Sequence, residues 1–120
     1  MCIGGRAYLN FFRSKDQKIV PSAPIVNKDD PSLMFTNAGM NQFKDYFLGN
    51  KTPDNCRMSD SQNCMRVSVN LNDLEDAGRD GTHHTMFAMP GNWSSGDYFK
   101  SANIARNCAV LTRPTGLAPK

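Results

Sequence analysis

The spacing of apolar residues in the first half of the chain changes from helical to strand-like and back to helical. Aromatic residues three and four apart near the N-terminus share one helical face, and two later runs of three or four residues are bounded by Pro, Asn and Asp. The predicted elements are a helix over residues 6–14, strands over 18–20 and 33–36, and an amphipathic helix over 40–48, whose aromatic stripe is interpreted as core packing. Gly49 follows this helix and is expected to adopt the left-handed conformation that ends many helices.

The second half predicts an antiparallel hairpin. A loop over residues 50–63 is predicted to precede this hairpin. The hairpin itself consists of a strand over 64–69, a polar turn over 70–82 and a return strand over 85–89. Pro90 and Gly91 are expected to break the return strand. A turn over 94–97, a weakly periodic helical stretch and a frayed tail from Arg113 complete the prediction.

Composition narrows the class of protein without naming a function. The 120 residues fit one domain or a piece of one, and the net charge of +3 comes from Lys and Arg that are scattered, so charge does not indicate a nucleic-acid partner. The four cysteines lack Cys-x-x-Cys spacing, which favours reduced thiols over a zinc site. No run approaches the roughly 18 apolar residues of a membrane span. With no signal peptide, these features predict a soluble cytoplasmic protein without a membrane partner.

The hairpin carries the candidate chemistry. Arg66 lies on its first strand and His83 or His84 enters the second. Phe87 follows His83 by four residues, an even spacing that puts both on one strand face. An Arg and a His that converge across a sheet would suit a polyanion such as a nucleoside triphosphate, and the ring could stack on a base. The alternative is structural: Arg66 is a surface strand residue, and one histidine is buried and hydrogen-bonded.

These residues resemble the second signature motif of class II aminoacyl-tRNA synthetases, in which an Arg on one strand is followed, after a loop, by Arg or His and then Phe. Longer runs narrow the resemblance to the alanyl-tRNA synthetase family. The matching runs are residues 35–45, Asn72-Asp73-Leu74-Glu75, His83-His84-Thr85 and Gly96-Asp97-Tyr98-Phe99-Lys100. Residues 9–26 resemble the first signature motif, and the similarity keeps one register from about residue 9 to about residue 100.

The resemblance implies an α+β fold, an antiparallel sheet flanked by helices that forms the N-terminal portion of a class II synthetase catalytic core. Residues 1–100 would be a truncated catalytic domain, and 101–120 a divergent helical segment with a frayed tail. The implied reaction is ATP-dependent activation of alanine, assisted by Mg²⁺, followed by transfer to tRNA. The tRNA-binding helices and the zinc site of the full-length family would lie outside this chain, so tRNA binding is expected to be weak or absent here.

The resemblance also implies a role for each candidate site residue. Arg66 would be the catalytic residue that holds the α-phosphate and the alanine carboxylate and stabilises the charge that develops between them. His83 would approach the γ-phosphate, Phe87 would stack under the adenine, and the Met89 backbone would face the adenine edge. Together these four residues would form the ATP-binding site.

Several positions depart from the family pattern. Asn70 stands where the family has Lys, Ala88 where it has an acidic residue, and Ser95 where it has Phe, while Val69, Leu71 and Pro90 replace Gly, His and Leu. The family's third signature motif is also expected beyond residue 120. The chain is therefore expected to be inactive alone, and the alternative function is a catalytically inactive relic or engineered fragment that at most binds ATP or a protein partner. An exposed sheet edge would favour self-association.

Overall fold

A computed structural model describes residues 3–28, 31–66 and 76–112 of the chain. The elements, in chain order, are α1 (Ile3–Arg13), β1 (Lys18–Ile19), a 3₁₀ turn (Asn41–Phe43) that continues into α2 (Lys44–Phe47), β2 (Arg57–Met65), β3 (Met86–Ser94) and α3 (Lys100–Thr112). The strands form a three-stranded sheet in the order β1-β2-β3. The predicted antiparallel pairing of β2 and β3 is confirmed, and β1 pairs with β2 in parallel. The α+β class is likewise confirmed.

Helix α1 forms because its aromatic stripe has a sheet to cover. Leu9 and Phe12 are buried, and the rings of Tyr8 and Phe12 lie 4.7 Å apart between centroids. Asp16 ends the turn with a φ of 59°, a conformation that Asp tolerates better than most residues. The predicted helix is confirmed, and it begins three residues earlier than expected. The first predicted strand is also confirmed as β1.

The predicted strand over residues 33–36 is wrong. This segment is irregular, and its hydrogen bonds are isolated rather than part of a ladder. The Thr36 N–H donates to the Ile25 carbonyl at 2.7 Å, and the Thr36 carbonyl accepts from Met65 N–H at 2.9 Å. Thr36 therefore joins two segments at a single point, and a ladder does not propagate from it.

The predicted helix over 40–48 is confirmed, although it opens as a 3₁₀ turn. Gly49 has a φ of +78°, as the left-handed ending requires. The aromatic stripe is only partly core, since Phe43 is buried while Phe47 is 45% exposed and Met40 48% exposed.

The predicted loop over residues 50–63 is wrong from Arg57 onwards, where β2 begins. The sequence pattern did not indicate this strand because several of its buried residues are polar. Ser59, Asp60 and Gln62 are fully buried. Such groups are tolerated inside a sheet only when they are hydrogen-bonded. The strand is described as far as Met65. Residues 67–75, which include Val69 at the end of the predicted strand and the first part of the turn predicted over 70–82, lie outside the described part of the chain.

The predicted break at Pro90 and Gly91 is also wrong, because β3 continues to Ser94. Hydrogen bonds from Arg66 N–H to the Thr85 carbonyl and from Ser95 N–H to the Cys56 carbonyl, each 2.9 Å, enclose the ribbon at its two ends. Hydrogen-bonded and non-hydrogen-bonded residue pairs alternate between these two ends, and Pro90 falls in a non-hydrogen-bonded pair. Its backbone therefore faces the outer edge of the sheet, where the missing N–H removes no hydrogen bond between β2 and β3.

Helix α3 confirms that the weakly periodic stretch near the C-terminus is helical. It buries Val110 and leaves Ile104 69% exposed. Within the described residues, the helices are too short and too polar to cross a membrane. The tail predicted from Arg113 lies outside the described residues.

Candidate nucleotide site

One face of the β2–β3 ribbon gathers most of the predicted site. Side chains alternate across a strand, and the register pairs Cys64 with Phe87 and Gln62 with Met89. We call this the site face; its residues are Asp60, Gln62, Cys64 and Arg66 on the β2 side and Phe87, Met89, Gly91 and Trp93 on β3. Three of the four predicted site residues, Arg66, Phe87 and Met89, therefore share one surface.

Arg66 lies just after β2 and reaches over the ring of Phe87. Its guanidinium carbon is 5.4 Å from the ring centroid, within the range of a cation–π contact. Its Nε–H donates to the Asn37 carbonyl at 2.9 Å. An arginine has five N–H donors in a planar fork, so the bond to Asn37 fixes the orientation of the group and leaves the terminal donors for an anion.

Residues 37–43, which we call the covering segment, lie across the site face. Gly39 is buried, and its N–H donates to the Met89 sulfur at 3.4 Å. A Cβ at Gly39 would lie 3.1 Å from Cζ2 of Trp93, closer than ordinary contact. The absence of a side chain at Gly39 therefore allows the segment to approach the sheet.

Asp60 is a buried carboxylate beneath the covering segment that sequence reasoning missed. Its oxygens accept hydrogen bonds from Trp93 Nε1–H at 2.9 Å and from Gln42 Nε2–H at 2.7 Å. Burial raises the pKa of Asp60, and the bonds from Trp93 and Gln42 oppose that shift. The available signal is weak: Met58 and Cys64 are apolar and lie at an even spacing, but the five residues between them are polar, a pattern that favours a loop.

His83 lies in the loop before β3 and is tied to Asp80. Its backbone N–H donates to Asp80 Oδ1 at 2.9 Å, and its Nδ1 contacts Asp80 Oδ2. These bonds, the backbone one foremost, lower the pKa of Asp80. The structure thus positions His83 through Asp80, at the end of the ribbon where Arg66 N–H bonds Thr85.

Met89 contributes its side chain to the site face beneath Gly39. By the alternation of the ladder, its peptide groups point towards Gln62 of β2. The predicted backbone contact of Met89 with adenine stays a prediction.

Two of the departures from the family pattern lie away from the site face. Ala88 and Pro90 are exposed and alternate with Phe87 and Met89, so they lie on the opposite face of β3. Ser95, just after β3, is half-buried and bonds the Cys56 carbonyl through its backbone N–H. The substitutions at Ala88 and Pro90 therefore remove no side chain from the surface that carries Arg66 and Phe87.

The described residues suit a nucleotide better than a metal ion. Arg66 offers donors for phosphate and Phe87 offers a ring for a base, both on one surface. Within residues 3–28, 31–66 and 76–112, no three His, Cys, Asp or Glu side chains come together as a metal site would need.

Comparison with known proteins places the chain in a family. The model of the family "tRNA synthetases class II (A)" matches residues 5–120, and the chain belongs to that family. The resemblance predicted from the signature motifs is confirmed.

Curated relatives narrow the comparison to alanine–tRNA ligases. The chain is 66% identical over 105 residues to the alanine–tRNA ligase of Cytophaga hutchinsonii, an alignment that covers 88% of this chain and 12% of the relative. The alanine–tRNA ligase of Flavobacterium psychrophilum matches equally, at 66% over 105 residues, with the same coverage of both chains. That of Christiangramia forsetii is 55% identical over 115 residues, or 96% of this chain and 13% of the relative. The chain thus spans about one eighth of the length of the relatives it matches.

Proposed function

We propose that this chain supplies part of the ATP site of an alanine–tRNA ligase, which activates alanine with ATP and transfers it to tRNA. The observation that carries the proposal is the Arg66–Phe87 pair on the site face, with the guanidinium held by the Asn37 carbonyl. Membership of the class II family and the names of the relatives support the same reaction.

The pair suggests how ATP would bind. Arg66 presents paired donors that match a phosphate or a carboxylate, the two groups that meet when alanine attacks the α-phosphate. The guanidinium now rests over the ring of Phe87. A base stacking on that ring would displace it towards the phosphates, where it would stabilise the negative charge that develops in the transition state.

Further parts of the proposal rest on the family alone. His83 would contact the γ-phosphate after release from Asp80, and Met89 would contact the adenine edge. Mg²⁺ would neutralise phosphate charge when bound. The division into residues 1–100 and 101–120, the binding of tRNA and the cytoplasmic location likewise stay predictions.

Titration calorimetry with ATP tests the site. We expect saturable binding at up to millimolar ATP, weakened at least about tenfold by Arg66→Ala, because a charge-assisted contact contributes roughly 1.5–3 kcal/mol. Arg13→Ala is the matched control, since Arg13 is exposed at the end of α1, away from the site face. Equal ATP affinity for the wild type and Arg66→Ala would overturn the assignment of Arg66.

A second candidate function is ATP binding without alanine activation, and the coverage of 12% of the relative's length favours it for the chain alone. Alanine-dependent exchange of pyrophosphate into ATP separates the two. Exchange that Arg66→Ala abolishes would establish the full activation step. Saturable ATP binding with no exchange would establish a binding fragment.

We also propose self-association through β3, one of the two edge strands of the described sheet. Its outer backbone groups can pair with a second copy, although Pro90 blunts the middle of this edge. Light scattering after size exclusion should show a concentration-dependent dimer that Ala88→Lys weakens, because a charge on an edge strand opposes pairing. Asn63→Lys, on inner strand β2, is the control. A monomer at all concentrations would contradict the proposal.

A further inference from the structure

Asp60 is the least expected group on the site face. It is fully buried, yet the hydrogen bonds that it accepts come from neutral donors, Trp93 Nε1–H and Gln42 Nε2–H. Among ion pairs between described residues, none includes Asp60. Burying a carboxylate among neutral donors costs free energy of folding, so we expect a functional reason for its position under the covering segment.

The hydrogen bonds of Asp60 anchor the covering segment to the sheet. The Gln42 amide group bridges Asp60 Oδ2 at 2.7 Å and Gln62 Oε1 at 3.4 Å. Gln62 is itself locked by two bonds to the backbone of Ala23, at 2.8 and 2.9 Å. A Cβ at Gly39 would lie 3.5 Å from Asp60 Oδ1, so the backbone of the segment rests directly on the carboxylate.

The near end of the same segment holds Arg66. The Asn37 carbonyl accepts the Nε–H of Arg66, and the preceding Thr36 carbonyl accepts Met65 N–H, both at 2.9 Å. A shift of the covering segment would therefore move the acceptor that orients the guanidinium. Asp60 makes no described contact with Arg66, and the covering segment is bonded to both through Gln42 and Asn37.

We propose that Asp60 is a positioning residue for Arg66: it anchors the covering segment, whose Asn37 carbonyl then holds the guanidinium in place for ATP. The inference rests on the proposed function, because it assumes that Arg66 binds ATP. It predicts a path from Asp60 through Gln42 and Asn37 to Arg66.

A double-mutant cycle on the 120-residue chain tests this path. Asp60→Asn should weaken ATP binding by roughly fivefold to tenfold, the size typical of coupling within one hydrogen-bond network. In an Arg66→Lys background, where the Nε–H bond to Asn37 is already gone, the same substitution should change the affinity less than about twofold. Equal factors in both backgrounds would show a general structural effect and overturn the proposal.

Two further variants keep the test decisive. Gln42→Ala removes the hydrogen bond between Gln42 and Asp60 by truncating its half-buried donor. If Asp60→Asn does not fold, Gln42→Ala takes its place in the cycle and should likewise have a smaller effect on ATP affinity in the Arg66→Lys background. Asp54→Asn is the matched control, because Asp54 is 88% exposed and lies 3.7 Å from Lys18, so its ATP affinity should equal that of the wild type. A loss with Asp54→Asn as large as with Asp60→Asn would contradict the path.

A measurement without ATP separates this inference from the proposed function. The Arg66 Nε–H signal in ¹H–¹⁵N spectra should exchange with solvent about tenfold faster in Asp60→Asn, because its acceptor is no longer held. Unchanged exchange would overturn the anchoring role even if ATP binds. Faster exchange in a chain that binds no ATP would retain the anchoring, and the proposed function together with positioning for ATP would then fail.

Discussion

The two faces of the β2–β3 ribbon are covered in different ways. The site face is covered by one short segment, residues 37–43, which approaches the sheet with its backbone and bonds it through Asn37 and Gly39. The opposite face, which we call the helix face, meets α1 and α3 through side chains. Asn92 is the centre of this second contact, with Tyr8 from α1 and Asn103 from α3 as partners.

This contrast separates two kinds of constraint. On the site face, glycine and a buried carboxylate leave little room for added volume, so the geometry around Arg66 is fixed by close contact. On the helix face, polar side chains fix the helices, and the network is less complete. Gln17 Oε1 and Arg106 Nη1 are buried without a hydrogen-bond partner among the described residues. Added side-chain volume should therefore be the main cause of destabilisation on the site face, and the loss of hydrogen bonds the main cause on the helix face.

Gly91→Ala should have the largest effect on stability. A Cβ there would lie 2.5 Å from Cζ2 of Trp93, so the indole would have to leave its place and its bond to Asp60. We expect a loss of about 3 kcal/mol in the free energy of unfolding, measured by chemical denaturation. Gly4→Ala is the control, because that position in α1 faces open space and Ala favours a helix. A Gly91→Ala loss no greater than that of the control would show that volume does not limit the site face.

Asn92→Ala should have the next largest effect. Asn92 accepts from Tyr8 at 3.2 Å and donates to Tyr98 at 3.0 Å and Asn103 at 2.6 Å. Truncation leaves these partners unsatisfied, and we expect a loss of about 2 kcal/mol in the same measurement. Asn63→Ala, exposed on the same face of the ribbon, should stay within about 0.5 kcal/mol. Similar values for both would contradict the importance of the helix-face network.

The smallest expected effect is a pH dependence of opposite sign for two carboxyl groups. Burial raises the pKa of Asp60, so the folded state binds its proton more tightly than the unfolded state, and stability attributable to Asp60 rises as pH falls through its folded pKa towards about 3.8. The hydrogen bonds from His83 and Thr82 lower the pKa of Asp80, so its contribution is present above about 3.8 and is lost as pH falls further.

Denaturation at several pH values measures both signs. The wild type should gain stability relative to Asp60→Asn as the pH falls from neutral towards 4. The advantage of the wild type over Asp80→Asn should shrink below pH 4. Parallel pH curves for the wild type and Asp60→Asn would show that Asp60 is not desolvated in the folded state.

The sequence predicted well those elements whose pattern is apolar. Phe12 and Phe43 mark the buried sides of their helices, and both helices were predicted near their observed bounds. The prediction failed where polar residues are buried. Asp60 and Gln62 read as loop residues, and only a partner segment that supplies hydrogen bonds makes a buried strand of them.

The candidate site divides in the same way. Family membership and the presence of Arg66, His83, Phe87 and Met89 could be read from the sequence, because motif identity and strand alternation are local properties. Their environment could not. That Asn37 and Gln42 reach Arg66 and Asp60 depends on segments that are distant along the chain. Asp80 holds His83 within a single loop, three residues away, but the sequence pattern did not indicate that contact.

By itself, the sequence determined the family of this protein, its helices and the strand alternation that gathers Arg66, Phe87 and Met89. The tertiary structure alone decided the length of β2, the passage of β3 through Pro90 and Gly91, and the burial of Asp60. The physical reason is that a buried polar group or a strand proline is acceptable only when specific distant atoms satisfy or avoid its hydrogen bonds, and those atoms are brought near only by the fold.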